Sequence, residues 1–363
     1  MTEHYLRYTD FAGNLIEIIT DFALLDYGRA KNEVGVLDLT LPANALPVLP
    51  IVDGRLEVYR KVGAGAFYLD GETQWLIRKF WYSGHPNNPT LNIQAFDMMT
   101  LLDRRYVEYP ADTTYTSKTD FSDDMMKEIV GENAGAAALV AARDMSPYLS
   151  IQADLGLAPS ITKAFSWRKM LPLFQELAEI SHEGGTWLGF DVVKVSDTES
   201  QFRTYANYRG NDVSASVTVS PENSALVEAV LMYDYSGEIT EVTAGGRGEG
   251  VDRVTVPVTD PVRLARSPLN RIEKAIDARQ TESTAALLAE AEAELKAGRP
   301  KIILEGQIND TDDLKFGVHY NYGDIITAQY MGIVIPCHVD MYSIRVQGGD
   351  ETRTIKIRGE VDA

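Results

Sequence analysis

The chain has 363 residues, 45% hydrophobic and 24% charged, a length that suggests about two to four domains with ordinary globular cores. Its 34 Lys and Arg against 53 Asp and Glu give a formal charge of −19, which argues against sequestering nucleic acid or anionic lipid while leaving DNA free to pass nearby. No apolar run approaches the roughly 18 residues of a membrane span, the opening MTEHYLRYTDFAGN lacks a secretory pattern and points to a cytoplasm-like compartment, and the lone Cys337 excludes an internal disulfide or multi-thiolate zinc site.

Residues 1 to about 110 read as a first, β-rich domain. Leu37, Leu39 and Leu41 alternate with polar neighbours, as do Leu56 and Val58 after the turn Asp53-Gly54. Trp75 to Tyr82 and Leu91 to Ala95 continue the pattern, with Gly84 to Pro89 as a loop between them. Asp97 is placed to cap a short helix over Met98 to Asp103.

A mixed α+β insertion follows over 111–205. Ser122-Asp123-Asp124 reads as a helix start, with Met125, Met126, Ile129 and Val130 as its apolar face. A second helix near Leu171 to His182 carries Pro172 in its first turn, ends at Gly184-Gly185 and feeds a strand over Thr186 to Val193.

The stretch 206–265 returns to short strands, at Ala215 to Val219, Ala229 to Tyr233 and Arg253 to Val258. Next comes a helical segment, 266–299: Ser267-Pro268 opens a helix with Ile272, Ala275 and Ile276 on one face, and a polar interruption near Gln280 to Ser283 precedes a second helix, Thr284 to Ala297, stopped by Gly298 and Pro300. The final segment, 300–363, is strand again, at Lys301 to Glu305, Ile325 to Ile335, Val339 to Val346 and Thr352 to Arg358. No repeat of solenoid or propeller length is evident.

Several constellations invite a chemical reading, and each has a plainer one. The cluster Gly245, Gly246, Gly248 and Gly250, followed by Asp252 and Arg253, is rich enough in glycine to cradle a phosphate. A phosphate loop must open a helix, however, and these glycines lead into the strand-like RVTVPV, so a tight or flexible turn is the expectation. His182-Glu183 begins like a zinc-protease helix, but Gly184-Gly185 follows and removes the second ligand position. His319 and His338, with Asp324 as a third group, have no spacing that selects a metal. The acidic run Asn309 to Asp313 lacks the glycine and glutamate of an EF-hand loop and reads as a solvated turn. Cys337, inside IVIPCHV, reads as a buried strand thiol. No GxSxG elbow occurs, paired carboxylates for glycoside cleavage cannot be singled out from so many acids, and the eighteen tyrosines suit sheet packing better than sugar platforms. No catalytic, cofactor or metal residue is nominated, and the expectation is a protein that is not an enzyme.

Taken together, LDLTLP, DGRLEVYR and FDMMTLLDRRYVEY, then DDMMKEIVGENAG and LPLFQELAEISHEGGTWLGFDV, then AGGRGEGVDR with SPLNRIEKAIDAR, AEAELKAGRPK and NYGDIITAQY, resemble the Gp37-like hub proteins of siphophage tail tips and baseplates, in order and in spacing. The resemblance implies a multidomain, β-rich α+β fold with tube-like β-barrel domains and intervening helices. It implies a homotrimer whose two tube-like domains per subunit make a pseudo-sixfold ring at the virion tail tip, assembled in the host cytoplasm. The partners it implies are the distal tail protein, the tail tube and tape measure proteins, and a central fibre or plug, with DNA passing but not specifically bound and no cofactor. The chain ends at Ala363 with no fibre, needle or hydrolase segment evident, so receptor binding or lysis is not expected of it. The competing expectation is a tail-associated carbohydrate-binding or cell-wall-hydrolysing protein, with an unclassified cytoplasmic enzyme a more distant third.

Overall fold

The computed structural model describes residues 2–109, 113–279 and 283–363. The alternating segments of the two chain ends do not build separate sheets. They join in one 14-stranded sheet, eleven of whose strands run from edge to edge as Leu226–Asp234, Lys301–Ile308, Asp350–Asp362, Ile333–Gln347, Leu24–Ala30, Val36–Pro42, Asn88–Asp97, Trp75–His85, Arg55–Val62, Thr2–Thr9 and Leu15–Ile19, while Tyr68–Leu69, Ile325–Tyr330 and Thr218–Val219 pair off this path. The seam between early and late chain is antiparallel, with Arg345 opposite Asp26 and Ile344 opposite Tyr27.

Two long strands make this continuity possible. Ile333–Gln347 pairs first with Ile325–Tyr330 and then, past Val339, with Leu24–Ala30, so one strand serves two neighbourhoods. Gly348 and Gly349 link it to Asp350–Asp362 as a two-residue hairpin turn, and both adopt positive φ (62° and 87°), which glycine tolerates and side chains resist. Period-two alternation then sends Leu37, Leu39 and Leu41, Leu56 and Val58, Leu91 and Ile93, Ile335, Cys337 and Val339, and Ile355 and Ile357 into one common core.

Two smaller units flank the sheet. In the first, helices Ser122–Ala134 and Met170–Glu183 pack on the sheet made by Leu149–Ile151, Ser200–Ala206 and Leu188–Lys194, with Phe174 edge-on to Phe190 at 5.7 Å. The same core takes in Met98, Met99 and Leu102, beside the short helix Thr100–Asp103, which fastens the unit to the N-terminal sheet. In the second, Glu241–Gly245 runs antiparallel to Thr255–Thr259 and parallel to Glu273–Asp277, and helix Thr284–Ala297 covers it through Leu287 and Ala291 against Val242 and Ala244.

The β-rich α+β class stands, and the barrel expectation does not: among the described residues no sheet closes on itself, because Leu226–Asp234 and Leu15–Ile19 end the large sheet without pairing to each other. The helix expected from Ser267 is also corrected. Ser267 forms a turn, its carbonyl accepting the Asn270 N–H at 3.0 Å, and Ile276 then lies opposite Ala244 in a parallel strand. Spacing of Ile272, Ala275 and Ile276 suits a helix face, but pairing with the buried strand Glu241–Gly245 overrides that local preference. Helix Thr284–Ala297 has the expected bounds, capped by the Ser283 hydroxyl accepting the Ala286 N–H at 3.1 Å. Gln280 to Glu282, within the expected interruption, lie outside the described residues. Gly84 to Pro89 is tighter than a loop, since Gly84 pairs with Pro89 and His85 with Asn88, leaving a two-residue turn. Ala215 to Val219 is mostly turn, with only Thr218–Val219 as strand.

Candidate assembly surfaces and the charged junction

The glycine cluster lies between strands Glu241–Gly245 and Thr255–Thr259. Gly246 N–H donates to the Val254 carbonyl at 2.8 Å and the Val254 N–H to the Arg247 carbonyl at 3.1 Å, closing a hairpin whose tip is the single turn Gly250–Asp252. Arg253 folds back across it, donating from Nε to the Gly246 carbonyl (3.1 Å) and from Nη2 to the Gly245 carbonyl (2.7 Å), and pairs with Asp277. Gly248 has φ +102°, and a Cβ there would lie 2.4 Å from the Asp252 carbonyl oxygen. A Cβ on Gly246 would meet Leu287 of the covering helix at 2.6 Å. Asp252 donates its own N–H to the Glu249 carbonyl at 3.1 Å. Backbone shape therefore accounts for Gly246 and Gly248, and the chain continues into a strand, not a helix whose amides would face an anion.

Sequence patterning did not reveal a buried polar junction at which three parts of the chain meet. Arg29, on a central strand, donates from Nε to Asp97 at 2.8 Å and from Nη1 to the Gly71 carbonyl at 2.6 Å, and pairs with Asp191 of the inserted unit. Arg209 completes the chain of charges, reaching Asp191 at 2.7 Å and Glu72 at 3.0 Å. Burial by itself would raise the Asp191 carboxyl, but the Arg29 and Arg209 guanidiniums outweigh it and hold the group at about 2. Asp97 goes the other way: burial raises it above the ordinary carboxylate range and Arg29 offsets only part of that rise. Asp97 also accepts the Met99 N–H at 3.1 Å, so it has the expected contact at the following turn as well as the ion pair. A second buried carboxylate, Glu57, binds Arg7 at 3.0 Å, Lys194 at 2.6 Å and the Gln74 amide at 2.7 Å, again joining the sheet to the inserted unit. Their only sequence trace is a charged residue at a position where strand alternation leaves little solvent, as in LLDYGRA and GRLEVYR.

Other nominated residues serve local structure. Asp123 and Asp124 do not cap their own helix; they accept the N–H groups of Leu155, Gly156, Leu157 and Ala158 at 2.8–3.1 Å and bind Lys127. His182 pairs with Glu360 at 3.2 Å and meets the Trp187 ring edge-on. His338 stacks on Trp187 at 4.3 Å, and burial pushes its imidazole down to about 4. His319 instead accepts the Lys315 N–H at 2.9 Å, and Asp324 accepts the N–H groups of Asn211 and Asn321, both at 2.7 Å. Asp310, in the acidic run, accepts the Phe316 N–H and the Tyr320 hydroxyl and pairs with Arg353. Among the described residues no group of His, Cys, Asp and Glu could hold a metal ion. Cys337 is fully buried, and burial pushes its thiol up to about 12.

The surface feature that stands out is the pair of open edges of the large sheet. Among the described residues strand Leu226–Asp234 pairs on one side only, and it leaves Val230, Met232 and Tyr233 exposed at 57, 44 and 51%. At the far end Leu15–Ile19 pairs, among the described residues, only with Thr2–Thr9 and exposes Leu15 and Ile18 at 53 and 41%. Apolar strands with unpaired backbone groups are templates for adding another strand, and only partial protection is visible here, a bulge between Val227 and Val230.

Residues 6–358 match the family model described as Siphovirus ReqiPepy6 Gp37-like protein. No curated protein matches the sequence. Among solved structures the fold is similar to the prophage MuSo2 43 kDa tail protein from Shewanella oneidensis (TM-score 0.55, 12% identity, 98% of each chain covered) and to the tail protein from Neisseria meningitidis MC58 (0.54, 14%, 99% of this chain and 97% of that one). It is also similar to the prophage tail protein gp18 from Listeria monocytogenes EGD-e (0.52, 12%, 98% and 94%). At these identities the likeness concerns the fold.

Proposed function

The chain belongs to the Gp37-like family of siphovirus proteins, and from that premise we propose that it is a structural hub subunit of a phage or phage-like tail tip. It assembles as a symmetric ring, a homotrimer, that joins the tail tube to distal components and gates the channel between them. The ring contacts the tube, distal tail and tape measure proteins and a central fibre or plug. In this reading the strands that segments 1–110, 206–265 and 300–363 give to the large sheet supply the tube-like wall, and the inserted 111–205 and the unit of Glu241–Gly245, Thr255–Thr259 and helix Thr284–Ala297 stand outside it.

One observation carries the reading: a sheet of fourteen strands that, among the described residues, closes on nothing and presents an apolar strand at each end. Strand edges of this kind are satisfied when a copy of the same chain adds its own edge, and a rotation that returns to its start turns such head-to-tail contacts into a ring. The charge of −19 suits a wall past which DNA moves without adhering. No chemical step is assigned, since the reading needs interfaces and not a catalytic centre.

The experiment is native mass spectrometry with negative-stain electron microscopy of the chain and of a Val230→Lys/Met232→Lys variant, mixed with its tail neighbours. The parent forms threefold rings. The variant, altered only at exposed positions, keeps its melting temperature and stays monomeric. Rings formed equally well by the variant would refute the edge as the assembly surface.

A further inference from the structure

One cleft that contains no residue of either edge strand is lined in part by arginines. It measures about 270 Å³ and opens between the start of strand Arg55–Val62, the short helix Thr100–Asp103 and the loop at Met145–Tyr148. Its walls are apolar, from Phe11, Leu76, Met98, Leu101, Met145 and the Tyr148 ring, yet three arginines line it, Arg55, Arg104 and Arg105, against a single carboxylate, Asp53.

That imbalance is unusual in a chain with 53 acids and 34 bases. Asp53 is already engaged twice, by Arg78 at 2.8 Å and Arg104 at 3.2 Å. Among the described residues Arg55 and Arg105 make no ion pair. Arg105 has only the Met145 sulfur as a side-chain partner, at 2.7 Å, which is a weak acceptor for a guanidinium. Arg55 is buried, and although its Nη1 donates to Gln74 and to the Asp197 carbonyl, its Nε is without a partner. Desolvation, and for Arg105 also the neighbouring Arg143 and Arg104, disfavours the charged form of both groups. Buried guanidiniums are normally matched by a planar anion that can take two parallel N–H donors.

We propose that this cleft binds a carboxylate attached to an apolar body, the anion accepting N–H donors from Arg105 and Arg55 and the body seated against Met98, Leu101, Met145 and Phe11. A carboxylate fits better than a phosphate dianion because, apart from the arginines and the already paired Asp53, the pocket is lined by hydrocarbon, thioether and aromatic groups, which desolvate whatever enters. A short acid and the terminal carboxylate of a peptide share this chemistry.

The test uses the full chain with ¹³C-methyl methionine, in which Met98 and Met145 report on the cleft and are assigned by Met98→Leu and Met145→Leu. The probes are hexanoate, the dipeptide acetyl-Leu-Phe with a free carboxylate, its C-terminal amide, and inorganic phosphate. Hexanoate or the free dipeptide shifts the Met98 and Met145 methyls, the amide and phosphate do not, and Arg105→Gln weakens binding about tenfold while leaving the other methionine signals in place. Tighter binding of the dipeptide assigns the site to the end of a partner chain, and tighter binding of hexanoate to a small acid. Should Arg105→Gln perturb the fold, Arg105→Lys, which keeps the charge and loses the fork, gives a partial weakening instead. The proposal is overturned if neither carboxylate moves these methyls at millimolar concentration, if the amide binds as well as the acid, or if the arginine variants bind unchanged.

Discussion

Replacing Arg29 by methionine should destabilise the protein more than almost any other single change. The side chain is buried, and its loss removes the contacts to Asp97, Asp191 and the Gly71 carbonyl together. Asp191 keeps Arg209 at 2.7 Å, whereas Asp97 keeps only backbone donors and remains fully buried. Breaking a buried pair from one side costs about 3–5 kcal/mol, most of it the stranded charge. Equilibrium urea unfolding at pH 7, followed by tryptophan fluorescence, should show a loss in that range. The double variant Arg29→Met/Asp97→Asn should recover about 1–2 kcal/mol of it, because the stranded charge is gone. The deficit of the single variant should also shrink at pH 5, where Asp97, already raised by burial, takes a proton more readily. A loss below about 1 kcal/mol, or a double variant no better than the single, would refute the claim that Arg29 clamps the inserted unit to the sheet.

Acid titration should show the opposite sign at Asp191. Its carboxyl sits at about 2 in the folded chain, below its ordinary 3.8, so the stabilisation it provides is complete above about pH 4 and disappears as pH falls toward 2. Asp191→Asn should therefore flatten the acid limb of a stability–pH profile measured by thermal melting. Gly248→Val places a branched side chain at φ +102° and against the Asp252 carbonyl, and should cost about 1–3 kcal/mol, or prevent folding of the unit built on Glu241–Gly245, as read by the melting of that unit. Gly246→Val meets the movable end of Leu287 and should cost less than Gly248→Val in the same assay. Cys337→Ala should cost about 1 kcal/mol or somewhat more, and the native thiol should resist a disulfide reagent until the protein unfolds, since it is buried in a strand with its thiol pushed up to about 12.

Strand alternation was plain in the sequence wherever one face is buried and the other wet, as at Leu37, Leu39 and Leu41, and helix Thr284–Ala297 announced both of its ends through Ser283 and Gly298. What stayed hidden depends on partners distant in the chain. Nothing local distinguishes Ile276 in a parallel strand from Ile276 on a helix, because the deciding contact is Ala244, thirty-two residues earlier. The acids Asp123 and Asp124 read as helix-start residues by position, yet their acceptor oxygens go to the loop at Leu155–Ala158. Arg29, Asp97, Asp191 and Arg209 are scattered over nearly two hundred residues, so their meeting point emerges only when the inserted unit docks on the strands that carry Arg29 and Asp97. The glycine stretch was the reverse case, where the strand that follows it, RVTVPV, already argued for a turn over a phosphate loop.

The most direct test is a cryo-electron microscopy map of the tail tip that contains this chain. A closed ring of copies in which Leu226–Asp234 lies hydrogen-bonded beside a strand of the adjacent subunit is the expected image. A single copy at the periphery, with that strand and Leu15–Ile19 both facing solvent, would contradict it.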